Sequence, residues 1–135
     1  MAVHQLDQQP PFVALKELIS RNRLNTTDTT EMCAAVLEQY PQSAVVLPVG
    51  PAGVVFRSAE SNLTQAAYSV DTIDTTGAGD TFTGYFLATI MKTKRVELAL
   101  QTAAAAAALS VTRPGAATSI PTRQEVHQFL SVHAP

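Results

Sequence analysis

Only one cysteine, Cys33, occurs in the 135 residues, so no internal disulfide can form. It lies in an apolar helical pattern and reads as a small buried hydrophobe. Charge is sparse too: nine basic against eleven acidic residues leave a net charge of −2. No Lys/Arg run or basic stripe occurs, which argues against nucleic acid as a partner. His4, His127 and His133 show no metal-binding spacing. Long apolar runs are missing as well. The longest low-charge stretch, residues 98–111, falls short of a membrane span and is mostly alanine. Residues 1–11 are polar and lack the apolar core of a signal peptide. These absences lead to the expectation of a cytoplasmic protein with no membrane association. In that compartment the sequon Asn62-Leu63-Thr64 carries no meaning. No internal repeat is found.

What is present is a globular composition, 46% hydrophobic and 15% charged, in a chain long enough for one domain with a core. Residues 1–11, with Pro10-Pro11, read as an irregular arm, and residues 12–135 as one folded part. Phe12, Leu15, Leu18 and Ile19 recur at helical spacing over residues 12–21. Residues 25–30 form a polar turn. Asp28 with Glu31 resembles a capping box, and Met32, Val36, Leu37 and Tyr40 carry a helical stripe closed by Pro41. Residues 43–49 and 53–57 are apolar runs of strand length, joined by the hairpin-like turn Gly50-Pro51-Ala52-Gly53. Residues 62–65 read as loop and 66–73 as a strand. A helix follows over residues 81–92, with Phe82, Tyr85, Phe86 and Ile90 on its apolar face. A second covers residues 96–112, with six consecutive alanines, Ala103 to Ala108, before Arg113-Pro114-Gly115 ends it. Thr122 and Glu125 announce the last helix, whose apolar residues are Val126, Phe129 and Leu130. Alternating strands and helices predict an α/β layered fold with a mostly parallel sheet flanked by helices.

The strand expected over 66–73 meets the helix through Asp74-Thr75-Thr76-Gly77-Ala78-Gly79-Asp80. A glycine-rich turn opening a helix presents unpaired N–H groups and the positive end of the helix dipole, which suits a phosphate. Asp80 places a carboxylate where that anion would be received. A plain structural reading makes Asp80 a first-turn capping acid and Asp74 a turn former. The chemical reading makes Asp80 a base for a nucleophile attacking the phosphate.

Several segments, in order, resemble the ribokinase/PfkB family of carbohydrate kinases: Leu47-Pro48-Val49-Gly50-Pro51-Ala52-Gly53, residues 74–84, residues 103–115, and Ser119-Ile120-Pro121. Members are about twice this length or more, so the resemblance is to a C-terminal portion with a ribokinase-like layered fold. It implies phosphoryl transfer from ATP, with Mg²⁺, to a sugar hydroxyl. Asp80 would be the base, and the N–H groups of Gly77, Ala78, Gly79 and Asp80 an anion hole for the transferring phosphoryl group. It also implies a monovalent cation such as K⁺ held by Asp74, Thr76, Ser110, Arg113, Gly115 and Ser119. Gly50, Gly53, Thr76 and Ala104 would contribute to the nucleotide site.

Departures from the family pattern are visible. Pro48 stands where the family usually has Thr, removing a hydroxyl and an N–H. Ala104 stands where some members carry His or Asn, and Tyr85 where a small residue is usual, which gives Tyr85 a packing role. The sugar-binding half and the Asn-x-x-Glu element that helps hold Mg²⁺ are not found. Three readings follow: a sugar kinase portion that needs its complementary N-terminal half, a nucleotide- or anion-binding module without turnover, and a degenerate remnant acting as an interaction protein. The unpaired sheet edge left by a partial α/β fold also predicts self-association.

Overall fold

A computed structural model describes residues 2–4 and 28–133. The helix expected over 12–21 and half of the turn at 25–30 lie outside the described residues. So does most of the expected irregular arm, of which Ala2–His4 is described as a strand, β1. The chain divides into two compact units, one comprising residues 1–49 and 54–64 and the other residues 50–53 and 65–135.

In the first unit, Asp28 caps helix α1 (Thr29–Gln39), its Oδ1 accepting from the N–H groups of Thr30 and Glu31 at 2.8 and 3.2 Å. One face of α1 packs Cys33 and Val36 against Val45 and Val55 of the sheet. The sheet runs β1–β2–β3–β4, with β2 at Ser43–Pro48, β3 at Val54–Ser58 and β4 at Asn62–Gln65. β1 pairs antiparallel with β2, and β2 antiparallel with β3 from Ala44↔Ser58 to Pro48↔Val54. The expectation of a mostly parallel sheet is therefore not met in these pairings. A five-residue link closes a hairpin, whereas parallel strands need a long crossover. Cys33 is buried, and burial pushes its thiol above the ordinary value, so it is an inert core residue.

The second unit is helical. Helix α2 (Ala78–Thr93) packs along α3 (Val96–Val111), and α3 against α4 (Arg123–His133). Phe82, Phe86 and Ile90 of α2 are buried, as are Ala99, Leu100, Ala103, Ala105 and Ala106 of α3. The alanine run is what lets α3 bury so much of its surface, since a methyl group keeps neighbouring backbones close. α4 begins with the reciprocal box read from the sequence: the Thr122 N–H donates to Glu125 Oε1 at 3.1 Å, and the Glu125 N–H donates to Thr122 Oγ1 at 3.2 Å.

The strand expected over 66–73 is not formed, and the strand lies at Asn62–Gln65, expected to be loop. No residue from 66 to 73 is buried. The N–H groups of Ile73 and Asp74 both donate to the Val111 carbonyl at the end of α3, at 2.7 and 3.1 Å. The segment's backbone partner there is a helix terminus rather than a neighbouring strand.

Candidate functional site

The start of α2 sets the geometry. Its N-cap is Gly77, held in the left-handed region at φ 80°, and it brings no capping side chain. The Ala78 N–H donates to the Thr75 carbonyl at 3.2 Å and the Thr81 N–H to the Gly77 carbonyl at 2.9 Å. The N–H groups of Gly77, Gly79 and Asp80 have no partner among the described residues. α1 and α4 satisfy their first turns with Asp28, Thr122 and Glu125, whereas α2, like α3 at Arg95, begins without a side-chain cap. Three unpaired donors at the positive end of a 16-residue helix can receive an anion.

Asp80 sits in this first turn, exposed, with no hydrogen-bond or ion-pair partner among the described residues. The capping role open to an acid in this position is therefore not exercised. The two glycines differ in kind. A Cβ on Gly77 would meet Ala116 at 3.3 Å in addition to its positive φ, whereas one on Gly79 would meet nothing within 4 Å. Gly77 is needed to shape the turn; Gly79 faces open space.

Asp74 anchors the turn. Its Oδ1 accepts from the Thr76 N–H at 2.9 Å and its Oδ2 from the Gly115 N–H at 3.0 Å. The Thr76 hydroxyl first, then these two N–H groups, hold its carboxyl below the usual aspartate range. Asp74 thus ties the segment ahead of α2 to the loop after α3, joining two regions 41 residues apart. Of the other candidate cation ligands, Ser110 and Ser119 are fully buried, with hydroxyls donating to the Ala107 and Ala116 carbonyls at 2.7 and 2.6 Å. The Arg113 guanidinium is paired with Glu125. Arg113 could face a cation only through its main-chain carbonyl, whereas the two serine hydroxyls keep oxygen lone pairs while donating.

Gly50 and Gly53 bracket a 3-10 turn, Gly50–Ala52, at φ 63° and 107°. A Cβ on Gly53 would come within 2.0 Å of the Gln65 carbonyl, so close backbone packing already requires this glycine. One on Gly50 would meet nothing within 4 Å. Pro48 ends β2 opposite Val54, where its missing N–H is tolerated. Ala104 is buried in α3. Tyr85 packs with Ala105, Ala106 and Val126, and its hydroxyl donates to the Pro121 carbonyl. Burial pushes that phenol above its ordinary value.

Beside Asp80 runs a groove of about 480 Å³ between α2 and α4, which the motifs did not announce. Asp80, Thr81, Gly84, Tyr85 and Ala88 line it from α2, and Ile120, Val126 and Leu130 from the other side. The one sequence signal for it was a glycine, Gly84, in the middle of a helix.

Residues 14–123 match the pattern of the pfkB family carbohydrate kinases. The chain belongs to the PfkB family. It is 42% identical over 98 residues to the ribokinase of Haemophilus influenzae, a match covering 72% of this chain and 32% of that protein. It is similar in fold to the Arabidopsis thaliana ribokinase solved with ribose and ATP, with a TM-score of 0.75 and 31% identity over 85% of this chain and 38% of that one. It is likewise similar to a ribokinase-like E. coli protein solved with ATP and Mg²⁺, with a TM-score of 0.77 and 29% identity over 87% and 37% of the two chains. The α/β architecture is thus ribokinase-like. The chain spans about a third of the length of the relatives it matches. Among the described residues no helix is long and apolar enough to cross a membrane.

Proposed function

We propose that this chain is the ATP-side, C-terminal portion of a ribokinase-like sugar kinase, with Asp80 as the base. One observation carries the reading: α2 begins with unpaired N–H groups at Gly77, Gly79 and Asp80 around a carboxylate that makes no structural bond. In this reading the N–H groups hold the charge of the transferring γ-phosphoryl group. Asp80 accepts the proton of the acceptor hydroxyl as its oxygen bonds to the γ-phosphorus. The bond from that phosphorus to the β–γ bridging oxygen breaks, and ADP leaves with the electron pair. Asp74 acts at a distance from this chemistry by fixing the turn through Thr76 and Gly115.

A carboxylate from Asp74 with carbonyls of Thr76, Ser110, Arg113, Gly115 and Ser119 would suit a monovalent cation in its chemistry. Such an ion would add positive charge behind the phosphate. Mg²⁺ is different. Among the described residues no group of three His, Cys, Asp or Glu side chains could hold a metal ion.

Asp80→Asn tests the proposal in the enzyme completed by its remaining portion. Loss of the base should lower the rate of phosphoryl transfer about 10²–10⁴-fold with ATP affinity retained. An Asp80→Asn enzyme of undiminished rate would remove Asp80 from the chemistry.

A further inference from the structure

We propose that Tyr85 is a positioning residue for the anion-receiving turn: its hydroxyl holds the loop that backs Gly77, and so keeps the unpaired N–H groups at the start of α2 in place. The inference rests on the functional reading above and adds to that site a residue that acts on it through another segment.

The loop is the connection between α3 and α4, residues 112–122. It meets the turn at Ala116, whose Cα and Cβ lie 3.3 Å from where a Cβ on Gly77 would stand. Among the described residues, two side chains from outside the loop and its flanking helices bond its backbone. Asp74 Oδ2 accepts from the Gly115 N–H at 3.0 Å, and the Tyr85 hydroxyl donates to the Pro121 carbonyl. These two ties bracket Ala116.

Between them the loop bonds to itself. The Ser119 N–H and hydroxyl both donate to the Ala116 carbonyl, at 3.2 and 2.6 Å, and the Thr118 hydroxyl donates to the Pro114 carbonyl at 3.3 Å. Such bonds make residues 114–120 one small body, and its two ties set how it lies against Gly77. Asp74 alone would leave it free to pivot about Gly115. Tyr85 stops the pivot from a point eight residues beyond Gly77, about 12 Å along the helix at 1.5 Å per residue.

The hydroxyl is not needed for packing. The ring packs with Ala105, Ala106 and Val126, contacts that phenylalanine would keep. Burial holds the phenol above its ordinary value, so it stays protonated and able to donate at neutral pH. Pro121 has no N–H, so its carbonyl is the one backbone group by which the end of the loop can be held. Hydrogen bonds weaken steeply when misaligned, so a turn that receives an anion through N–H groups loses affinity when its backing shifts.

The test compares ATP binding by titration calorimetry for wild type, Tyr85→Phe and Thr93→Ala, each at a temperature where it is fully folded. Thr93 is the control at the far end of the same helix, its hydroxyl donating to the Thr89 carbonyl at 2.8 Å and accepting from the Arg95 N–H at 3.2 Å. Tyr85→Phe should weaken ATP binding about three- to tenfold, the range of one intramolecular hydrogen bond. Thr93→Ala should melt lower than wild type and bind ATP equally well. In the ligand-free proteins, the amide resonances of Gly77 and Gly115 should move in Tyr85→Phe and stay in place in Thr93→Ala. A bond that only stabilises the fold would lower the melting temperature of Tyr85→Phe and change neither affinity nor resonances, and that result overturns the inference. Equal weakening of ATP binding in both variants also overturns it. If wild type binds no ATP, the phosphate-site reading fails by itself, and the resonances still decide whether Tyr85 places the turn.

Discussion

At the scale of single residues, glycines divide into those the fold requires and those it leaves open. Gly53 combines φ 107° with a Cβ position 2.0 Å from the Gln65 carbonyl, so both backbone strain and overlap oppose any side chain. Gly53→Ala should destabilise the chain by about 2 kcal/mol or more in denaturant unfolding. Gly50→Ala, with a similar backbone sign but open space, should cost about 1 kcal/mol. Equal losses at the two positions would mean that the close approach to residues 65–67 contributes nothing. The sequence motif alone made the two glycines equivalent. Only the path of residues 65–67 distinguishes them, and that contact joins segments the sequence does not show to be neighbours. The heptapeptide offered Asp80 and Asp74 as candidates alike. Their different situations, one without a partner and one bonded at both oxygens, were not legible there.

At the scale of elements, helices were read more faithfully than strands. Capping and 3.6-residue periodicity are local, so Asp28 and the Thr122–Glu125 box announced α1 and α4 correctly. Strands depend on partners distant in sequence. Residues 66–73 contain β-branched residues but make their described backbone bonds to Val111, while the modest run at 62–65 joins the sheet beside β3. The attachment of α4 is also electrostatic. The Arg113 guanidinium first, then the Thr122 N–H, hold the Glu125 carboxyl below its usual range. A carboxylate with a depressed folded-state pKa contributes stability that is present above its unfolded value, about 4.3, and is lost as pH falls through the folded value. Acid unfolding of wild type should therefore steepen below that pH. Glu125→Gln should flatten that part of the profile, and parallel profiles for the two proteins would exclude the pair as a source of acid sensitivity. Asp74, depressed by Thr76 and Gly115, acts with the same sign.

At the scale of the whole molecule, the chain belongs to a family of carbohydrate kinases and spans about a third of its relatives' length. The family could be read from the order of four short segments, because the glycine-rich turn and its neighbours leave a dense local signature. The groove along α2 could not, since its only trace in the sequence is a helical glycine that helix propensity disfavours.

The central claim is that the start of α2 receives the phosphates of ATP, and Gly79 offers its most direct test. A side chain there meets nothing in this chain, so Gly79→Val should fold and melt as wild type does, yet fill the space in front of the unpaired N–H groups. ATP should raise the melting temperature of wild type, by mass action, and leave Gly79→Val unchanged. No ATP-dependent rise in wild type, or the same rise in Gly79→Val, would contradict the account.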